Sequence, residues 1–150
     1  MTPNEFTSYS AWKKKVMAKI PKAYRKGEFV MAQGTFDGYI DGMVDANGQP
    51  IGRVNYGIDG EENYRFCGKT VDTVEDDVIP SYDDAATGDV VAVFFNPTDY
   101  AENSNGSFST VKWTDHDDNA VKTKVLHICD GKLLDPNGVI IIKKGEAAKV

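Results

Sequence analysis

The chain has 150 residues, a formal net charge of −6 and 41% hydrophobic residues, which is enough for one domain with a buried core. No apolar run approaches the roughly 18 residues needed to span a bilayer, and the first residues lack the basic start and apolar stretch of a secretory signal. We therefore expect no membrane contact. Cys67 and Cys129 lie in apolar, strand-like contexts and are expected to be buried free thiols in a reducing compartment, with a disulfide between them as the alternative. Free thiols predict an intracellular protein.

Charge is distributed unevenly along the chain. Residues 1–28 contain seven basic and two acidic side chains, a net charge of +5, so the remainder carries −11. An acidic body predicts no general affinity for nucleic acid, because phosphate contacts need clustered positive charge. The basic segment favours a solvated helix face, and contact with an acidic surface of another copy is the alternative.

The first predicted element is a long N-terminal helix that ends near Ile20. Thr2 and Glu5 have the spacing of a capping box. Apolar residues then fall on one arc of a helical wheel and lysines on the other side. The arc includes Phe6, Tyr9, Trp12 and Val16, and the lysines include Lys14 and Lys15. A stripe this aromatic is more often part of a core than a ligand site. Some of it lacks an obvious cover in so short a chain, however, and an exposed patch of this kind predicts an interaction surface.

Two short elements are predicted after this helix. Residues 28–32 form a strand candidate because four of the five are apolar. Residues 36–44 keep the apolar spacing of a helix, with Thr35 as its N-cap.

Polar loops alternate with one bent strand over the next stretch. Residues 49–63 are polar, contain several glycines and predict a surface loop. Residues 64–74 predict a strand that bends at Gly68. Residues 75–87 are acidic and predict a second, solvated loop.

The apolar run within residues 88–96 is the strongest strand signal in the chain. It begins after Gly88-Asp89 and ends at Asn96-Pro97, where proline lacks a backbone donor for a sheet ladder. A short continuous apolar run between turn signals predicts a strand buried on both faces of a sheet.

The remaining residues predict further strands. Residues 99–107 are expected to be an open loop. Residues 108–114 and 121–129 are two strand-length runs joined by a polar turn, which predicts a β-hairpin. Asp130-Gly131 predicts another turn, and residues 139–142 predict a last buried strand. The elements together predict an α+β fold with a central mixed β-sheet flanked by helices.

Four consecutive acidic and histidine residues are the one dense polar cluster in the sequence, and they could bind a metal ion. Asp115, His116, Asp117 and Asp118 would suit a metal ion, but consecutive side chains diverge, so one ion would reach about two of them. No serine or cysteine lies in a nucleophile-elbow context, and no glycine-rich phosphate loop is present. The sequence therefore predicts no enzyme, no cofactor and no bound metal, with a small metal-dependent enzyme using Asp115 to Asp118 as an alternative.

Five pieces of the chain follow one another in a recognisable order, although each alone is a common strand or turn. They are residues 20–25 with 29–31, 35–45 with 47–51, 66–71 with 79–80, 88–96, and 130–132 with 139–142. Through their order, residues 20–144 as a whole resemble the C-terminal half of the major capsid proteins of tailed bacteriophages and prophages, which have the Hong-Kong-97-type fold.

The resemblance implies a structural protein that associates with other copies of itself in an icosahedral head. Residues 1–150 would be one folded unit. Residues 27–103 would resemble the axial domain, and residues 1–26 with 104–150 the peripheral domain. The chain would belong to the virion and assemble in the cytoplasm of the bacterial host, without membrane, specific nucleic-acid or small-molecule partners.

The resemblance also implies that family elements preceding the spine helix are missing, so we interpret the chain as a fragment or a short relative. The aromatic stripe with Lys14 and Lys15 would then be a subunit-contact surface. An alternative of another class is a ligand-binding module of a phage or bacterium that uses loops 49–63, 75–87 and 99–107.

Overall fold

The computed structural model describes residues 1–58, 60, 62–104 and 108–146. The chain divides into two compact units. The sheet unit comprises Met1–Pro97 and the chain from Pro136 onward, and the hairpin unit comprises Thr98–Asp135. This division differs from the boundaries that the resemblance implied, because the first 26 residues and the last strand belong to the sheet unit.

Helical segments are all short, so the predicted long N-terminal helix is wrong. Within the described residues, no helix has the length and apolar character that crossing a bilayer requires. The helical segments are α1 (Pro3–Phe6), α2 (Tyr9–Lys15), α3 (Gln33–Thr35), a π-helical segment (Phe36–Ile40) and 3-10 turns at Met17–Lys19, Lys22–Tyr24, Pro97–Asp99 and Pro136–Gly138.

The N-terminal helix breaks between α1 and α2 because Phe6 and Trp12 pack together. In a continuous helix these residues would lie about a third of a turn apart around the axis. The break at Thr7 and Ser8 brings their rings to 5.0 Å between centroids in an edge-to-face contact. It also frees the Phe6 carbonyl, which accepts a hydrogen bond of 2.6 Å from the Trp12 indole N–H. The predicted capping contact does form, since Glu5 accepts from the Thr2 N–H at 3.2 Å.

Ten strands complete the secondary structure of the described residues. They are β1 (Glu28–Ala32), β2 (Gly52–Tyr56), β3 (Glu62–Phe66), β4 (Lys69–Val74), β5 (Val90–Phe95), β6 (Tyr100–Ser104), β7 (Ser109–Asp115), β8 (Ala120–Leu126), β9 (Cys129–Leu133) and β10 (Ile140–Lys143).

The sheet unit is built on a mixed, six-stranded sheet with the order β10-β5-β1-β4-β3-β2. β1 and β4 are parallel, and the other neighbouring pairs are antiparallel. β5 lies between β10 and β1, so the prediction of a mixed sheet with this strand inside is confirmed. Its Val91, Ala92 and Phe94 are buried but Val93 and Phe95 are half-buried, so burial on both faces is only partly correct.

The predicted loop at 49–63 is wrong, because it contains β2 and the start of β3. Side chains alternate along β2, and the strand pairs with β3 from Gly52 opposite Phe66 to Tyr56 opposite Glu62. The predicted bend at Gly68 is a hairpin turn between β3 and β4. Both turn residues, Cys67 and Gly68, have positive φ angles of 52° and 74°, which is the geometry of a two-residue hairpin turn.

The predicted N-cap at Thr35 is also wrong. Thr35 ends α3, is fully buried, and accepts a hydrogen bond of 2.9 Å from the Tyr82 N–H. Because this hydroxyl satisfies a buried donor from a distant segment, it fixes the loop before β5 against the π-helical segment.

Aromatic rings form the centre of the core in the sheet unit. The Trp12 ring contacts the rings of Phe29 and Phe66 edge-to-face, at centroid distances of 5.9 and 5.0 Å. The ring of Phe94, on β5, contacts that of Phe29 at 5.0 Å. The buried hydrophobic cluster comprises Phe6, Trp12, Val16, Ile20, Phe29, Met31, Phe36, Ile40, Met43, Phe66, Val71, Tyr82, Ala85, Val91, Ala92, Phe94 and Ile142.

The hairpin unit contains two separate antiparallel pairs, β6 with β9 and β7 with β8. The second pair confirms the predicted hairpin. Part of the predicted loop at 99–107 forms β6, and residues 105–107 lie outside the described residues. The predicted turn at Asp130 and Gly131 lies within β9 instead.

Two smaller expectations also need correction. Cys67 and Cys129 are both free, but Cys67 is half-buried and Cys129 is exposed, so neither is a fully buried thiol. The last strand is at the edge of the sheet, where Ile142 is buried while Ile141 is 55% exposed.

Candidate subunit-contact surfaces

The predicted aromatic surface is largely inside the sheet unit. Phe6 and Trp12 have no exposed surface, and Val16 is 2% exposed. These three side chains therefore cannot contact another copy, and this part of the expectation is wrong. Tyr9 is half-buried, and Lys14 and Lys15 are exposed, so these three remain available for contact.

The basic side chains near the N-terminus line the outside of this segment. Lys15 forms an ion pair of 2.6 Å with Glu5, and this hydrogen bond from lysine, followed by the one from the Thr2 N–H, lowers the pKa of Glu5. Lys13 lies over the Tyr9 ring, with its Nζ 5.2 Å from the centroid. Both lysines are exposed, so these contacts add little to stability.

The first residue is fixed to the edge of the sheet, a feature that sequence analysis missed. The Met1 amino group donates to the carbonyl of Lys143, and the Met1 carbonyl accepts from the Gly145 N–H at 2.7 Å and the Tyr82 hydroxyl at 2.9 Å. Burial lowers the pKa of this amino group. No pattern in the sequence pairs the first residue with residues 143–145, because the contact depends on the tertiary fold.

A basic groove lies where the β3–β4 turn meets the N-terminal segment. One cavity of about 350 Å³ includes Arg53, Arg65 and Tyr9 in its lining, and a neighbouring one of about 310 Å³ includes Lys13 and Arg25. The two cavities share Tyr9 and Cys67. We define the basic groove by the six side chains Tyr9, Lys13, Arg25, Arg53, Arg65 and Cys67.

Two features of the groove are electrostatic. Arg53 and Arg65 stand directly opposite each other on β2 and β3, an arrangement of like charges that destabilises a hairpin. Burial raises the pKa of Cys67 to about 11, against the smaller opposite effect of Lys13. Cys67 is therefore a neutral, half-buried thiol in the lining of a cationic groove, and it is a poor nucleophile near neutral pH.

An acidic turn follows β4. Its side chains Glu75, Asp76 and Asp77 are exposed, and we define the acidic turn by these three residues. Among the described residues they accept no side-chain hydrogen bond and form no ion pair. Farther along the loop, Asp83 and Asp84 do have partners.

These later carboxylates are held by hydroxyl groups. Asp84 accepts from the Ser81 hydroxyl at 2.8 Å, and Asp83 accepts from the Tyr39 hydroxyl. The hydrogen bond to Asp83, with some burial, raises the pKa of Tyr39 to about 12. The loop from 75 to 87 thus has an anchored second half, while its first half presents free carboxylates.

The carboxylates of the proposed metal site are bound to a lysine. Lys122 donates to Asp115 and to Asp118, each at 2.6 Å. The hydrogen bond from Lys122 lowers the pKa of Asp115, and Asp115 in turn raises the pKa of Lys122. Within the described residues no group of three or more histidine, cysteine or acidic side chains could hold a metal. This hairpin tip is therefore a salt-bridged turn.

The first loop of the ligand-binding alternative, residues 49–63, lines several shallow cavities of the sheet unit. None of these cavities includes a residue from 75–87, the second loop of that alternative. Tyr56, on β2, is 74% exposed beside one of them.

The hairpin unit exposes much apolar surface. None of its described residues is buried. A two-stranded pair without a covered apolar face is marginally stable alone, and a large exposed apolar patch marks an interaction site. Its exposed large hydrophobic residues are Tyr100, Phe108, Val111, Trp113, Val121, Val125, Leu126, Ile128 and Leu134.

Comparisons with known proteins give one family and one fold. Residues 6–144 match the model of the phage capsid family. A solved structure described as "Capsid of empty GTA particle computed with C5 symmetry" has a TM-score of 0.64 and 19% sequence identity to this chain. The match covers 93% of this chain and 45% of that chain, so this chain spans under half the length of the solved relative. No curated protein matches significantly.

Proposed function

Because this chain belongs to the phage capsid family, we propose that it is a structural capsid subunit whose partners are other copies of the same chain. The membership confirms the resemblance stated from the sequence. The solved capsid of similar fold supports a place in a virion shell, here by fold alone. We further propose that the chain has no catalytic role and that it assembles into the shell in the host cytoplasm.

The observation that best supports contact between copies is the uncovered hairpin unit. Trp113 is 45% exposed, and Val121 and Val125 are 73% and 58% exposed. The β7–β8 pair carries apolar residues on both faces. Trp113 is paired with Lys122, and the adjacent pair is Thr114 with Val121. Because successive pairs point to opposite faces of a sheet, Trp113 lies on one face and Val121 on the other. A pair that is apolar on both faces needs cover on both, and repeated neighbours in a shell would supply it.

The two units suggest how the family's domains are distributed. The continuous core of the sheet unit favours the role of the axial domain, as the rigid part of the subunit. The hairpin unit would then correspond to the peripheral domain at the rim. Under this proposal residues 1–26 and the last strand belong to the axial part, unlike the boundaries expected from the sequence.

Sedimentation velocity over a wide range of chain concentration, with electron microscopy of the same samples, tests this function. We expect concentration-dependent association of the wild-type chain into species of several copies. The variant Val121→Lys should lower association without lowering the stability of the sheet unit, because its side chain is 73% exposed in the single chain. A folded wild-type chain that stays monomeric at every concentration would contradict the proposal.

A further inference from the structure

We propose that the basic groove of one copy binds the acidic turn of the next copy, so that neighbours associate head to tail. This inference rests on the proposed function, because it assumes that the partner is a second copy of the chain. It adds the two surfaces that meet and the chemistry by which they recognise each other.

The groove presents cations that nothing in the described chain neutralises. Lys13, Arg25, Arg53 and Arg65 are exposed and form no ion pair within the described residues. The one carboxylate among the residues of these two cavities is that of Asp45. It accepts from the N–H groups of Asn47 and Gln49, at 2.8 and 2.9 Å, and so stabilises its own turn.

The opposed arginines indicate that an anion belongs in this groove. Arg53 and Arg65 occupy the same register on β2 and β3, where like charges are unfavourable. A carboxylate between two guanidinium groups would remove the repulsion and accept hydrogen bonds from both. The half-buried Tyr9 beside them supplies apolar contact area.

The acidic turn has the complementary properties. Glu75, Asp76 and Asp77 are exposed carboxylates that have no side-chain partner in the part of the chain that the structure describes, and Val78 next to them is 68% exposed. No lysine or arginine occurs between residues 72 and 89. The turn therefore combines three charges with one apolar side chain, which suits a cationic groove that contains an aromatic ring.

The topology of the sheet keeps the acidic turn away from the basic groove of the same copy. The Cys67–Gly68 turn at the groove immediately precedes β4, and the acidic turn immediately follows it. A strand of this length places its ends about 20 Å apart. Contact between the two surfaces therefore requires two copies, and a contact between different surfaces of identical copies propagates into a ring or an open array.

Charge reversal with complementation tests the pairing. Arg53→Glu should weaken self-association by about tenfold or more, because like charges across an interface are strongly unfavourable. The same change replaces a repulsive cross-strand pair by an attractive one, so the urea midpoint of the chain should rise. Weaker association with higher stability is a combination that damage to the fold would not produce.

The second variant is Asp76→Lys in the acidic turn. It should also weaken association alone, and mixing it with Arg53→Glu should restore association, since each contact in the mixture again joins opposite charges. Lys22→Glu is the matched control: it makes the same charge change at an exposed site outside the groove and should leave association unchanged. Added salt should weaken the wild-type contact.

The outcomes separate this inference from the proposed function. Wild-type association that neither variant reduces would overturn the pairing alone, whereas a monomeric wild-type chain would overturn both. Failure of the mixture to recover would also overturn the pairing. Binding of a single-stranded DNA oligonucleotide that is lost in Arg53→Glu but kept in Asp76→Lys, with self-association unaffected, would assign the groove to nucleic acid instead.

Discussion

The sheet unit and the hairpin unit differ in where their apolar side chains lie. In the sheet unit, Trp12, Phe29 and Phe94 are fully buried between the sheet and the N-terminal segment. In the hairpin unit, Trp113 and Phe108 remain 45% and 69% exposed. The same chain therefore contains one region that is stabilised by its own core and one whose apolar surface stays exposed in the single chain.

The sequence pattern of the strands explains the difference. β5 is apolar at every position, so it is stable only inside a covered sheet. β7 and β8 alternate threonine, valine and lysine, and each apolar residue has a polar or charged neighbour across the pair. The polar neighbours keep this surface hydrated in the single chain, and its apolar side chains can still pack against another chain.

The largest expected difference between the two units is the loss of stability when their tryptophans are replaced by alanine. Trp12→Ala removes a buried indole and its hydrogen bond to the Phe6 carbonyl, and should lower the free energy of unfolding by about 3–5 kcal/mol. Trp113→Ala, the matched control, should change the free energy of unfolding by less than about 1 kcal/mol. Urea denaturation at low chain concentration measures both. Similar losses for the two variants would show that the hairpin unit has a core of its own.

Two glycines in strands, Gly52 of the sheet unit and Gly131 of the hairpin unit, should differ in the same way but by a smaller free energy of unfolding. A Cβ at Gly52 would meet the backbone carbonyl of Ile40, which cannot move away, so Gly52→Ala should cost about 1–3 kcal/mol. A Cβ at Gly131 would meet the end of the Tyr100 side chain. Tyr100 is 51% exposed and can rotate away, so Gly131→Ala should cost less than about 0.5 kcal/mol. Thermal unfolding of both variants measures the difference, and equal shifts would contradict this account.

The smallest expected effect is on the pH dependence of stability. Glu28 and Asp115 should contribute to it with opposite signs, because the pKa of the first is raised and that of the second is lowered. Burial, and then nearby Asp72, raises the pKa of Glu28 in the sheet unit. The native state then holds the proton more tightly than the unfolded state, so stability falls as pH rises through the raised pKa. Glu28→Gln should therefore stabilise the chain slightly at neutral pH and not in acid.

In the hairpin unit, the hydrogen bond from Lys122 lowers the pKa of Asp115. Its contribution is present above the unfolded pKa and is lost as pH falls through the lowered one. Asp115→Asn should loosen the β7–β8 pair at neutral pH and have no effect in acid. Urea unfolding of the Glu28→Gln variant and amide exchange of the Asp115→Asn variant, each at neutral and acidic pH, measure these effects. Stabilisation by both variants, or destabilisation by both, at neutral pH would contradict the opposite pKa shifts.

Local patterns predicted the elements whose signals were strongest. The continuous apolar run gave the β5 prediction, and the two strand-length runs around the acidic tip gave the β7–β8 pair. β2 was missed because Gly52, Gly57 and several polar residues suggested a loop. Its alternation of Arg53, Val54, Asn55 and Tyr56 was the available signal, since Val54 faces the core while Arg53 and Asn55 are exposed.

Tertiary contacts decided what the sequence left unresolved. The single-helix prediction for residues 2–20 did not include the turn that lets Phe6 pack on Trp12, because local propensity does not encode a ring contact between two helices. Part of the aromatic stripe was predicted to lack a cover because that cover, the face of the sheet carrying Phe29 and Phe66, comes from distant residues. The basic groove was missed for the same reason, since Arg25, Arg53 and Lys13 come together only in the fold.

We propose that other copies of the chain cover the hairpin unit. Hydrogen exchange of β7 and β8, followed by mass spectrometry across a series of chain concentrations, tests this cover most directly. We expect fast exchange in the dilute, monomeric chain and clear protection of Ser109–Asp115 and Ala120–Leu126 as association proceeds. Association without added protection in these two strands would contradict it.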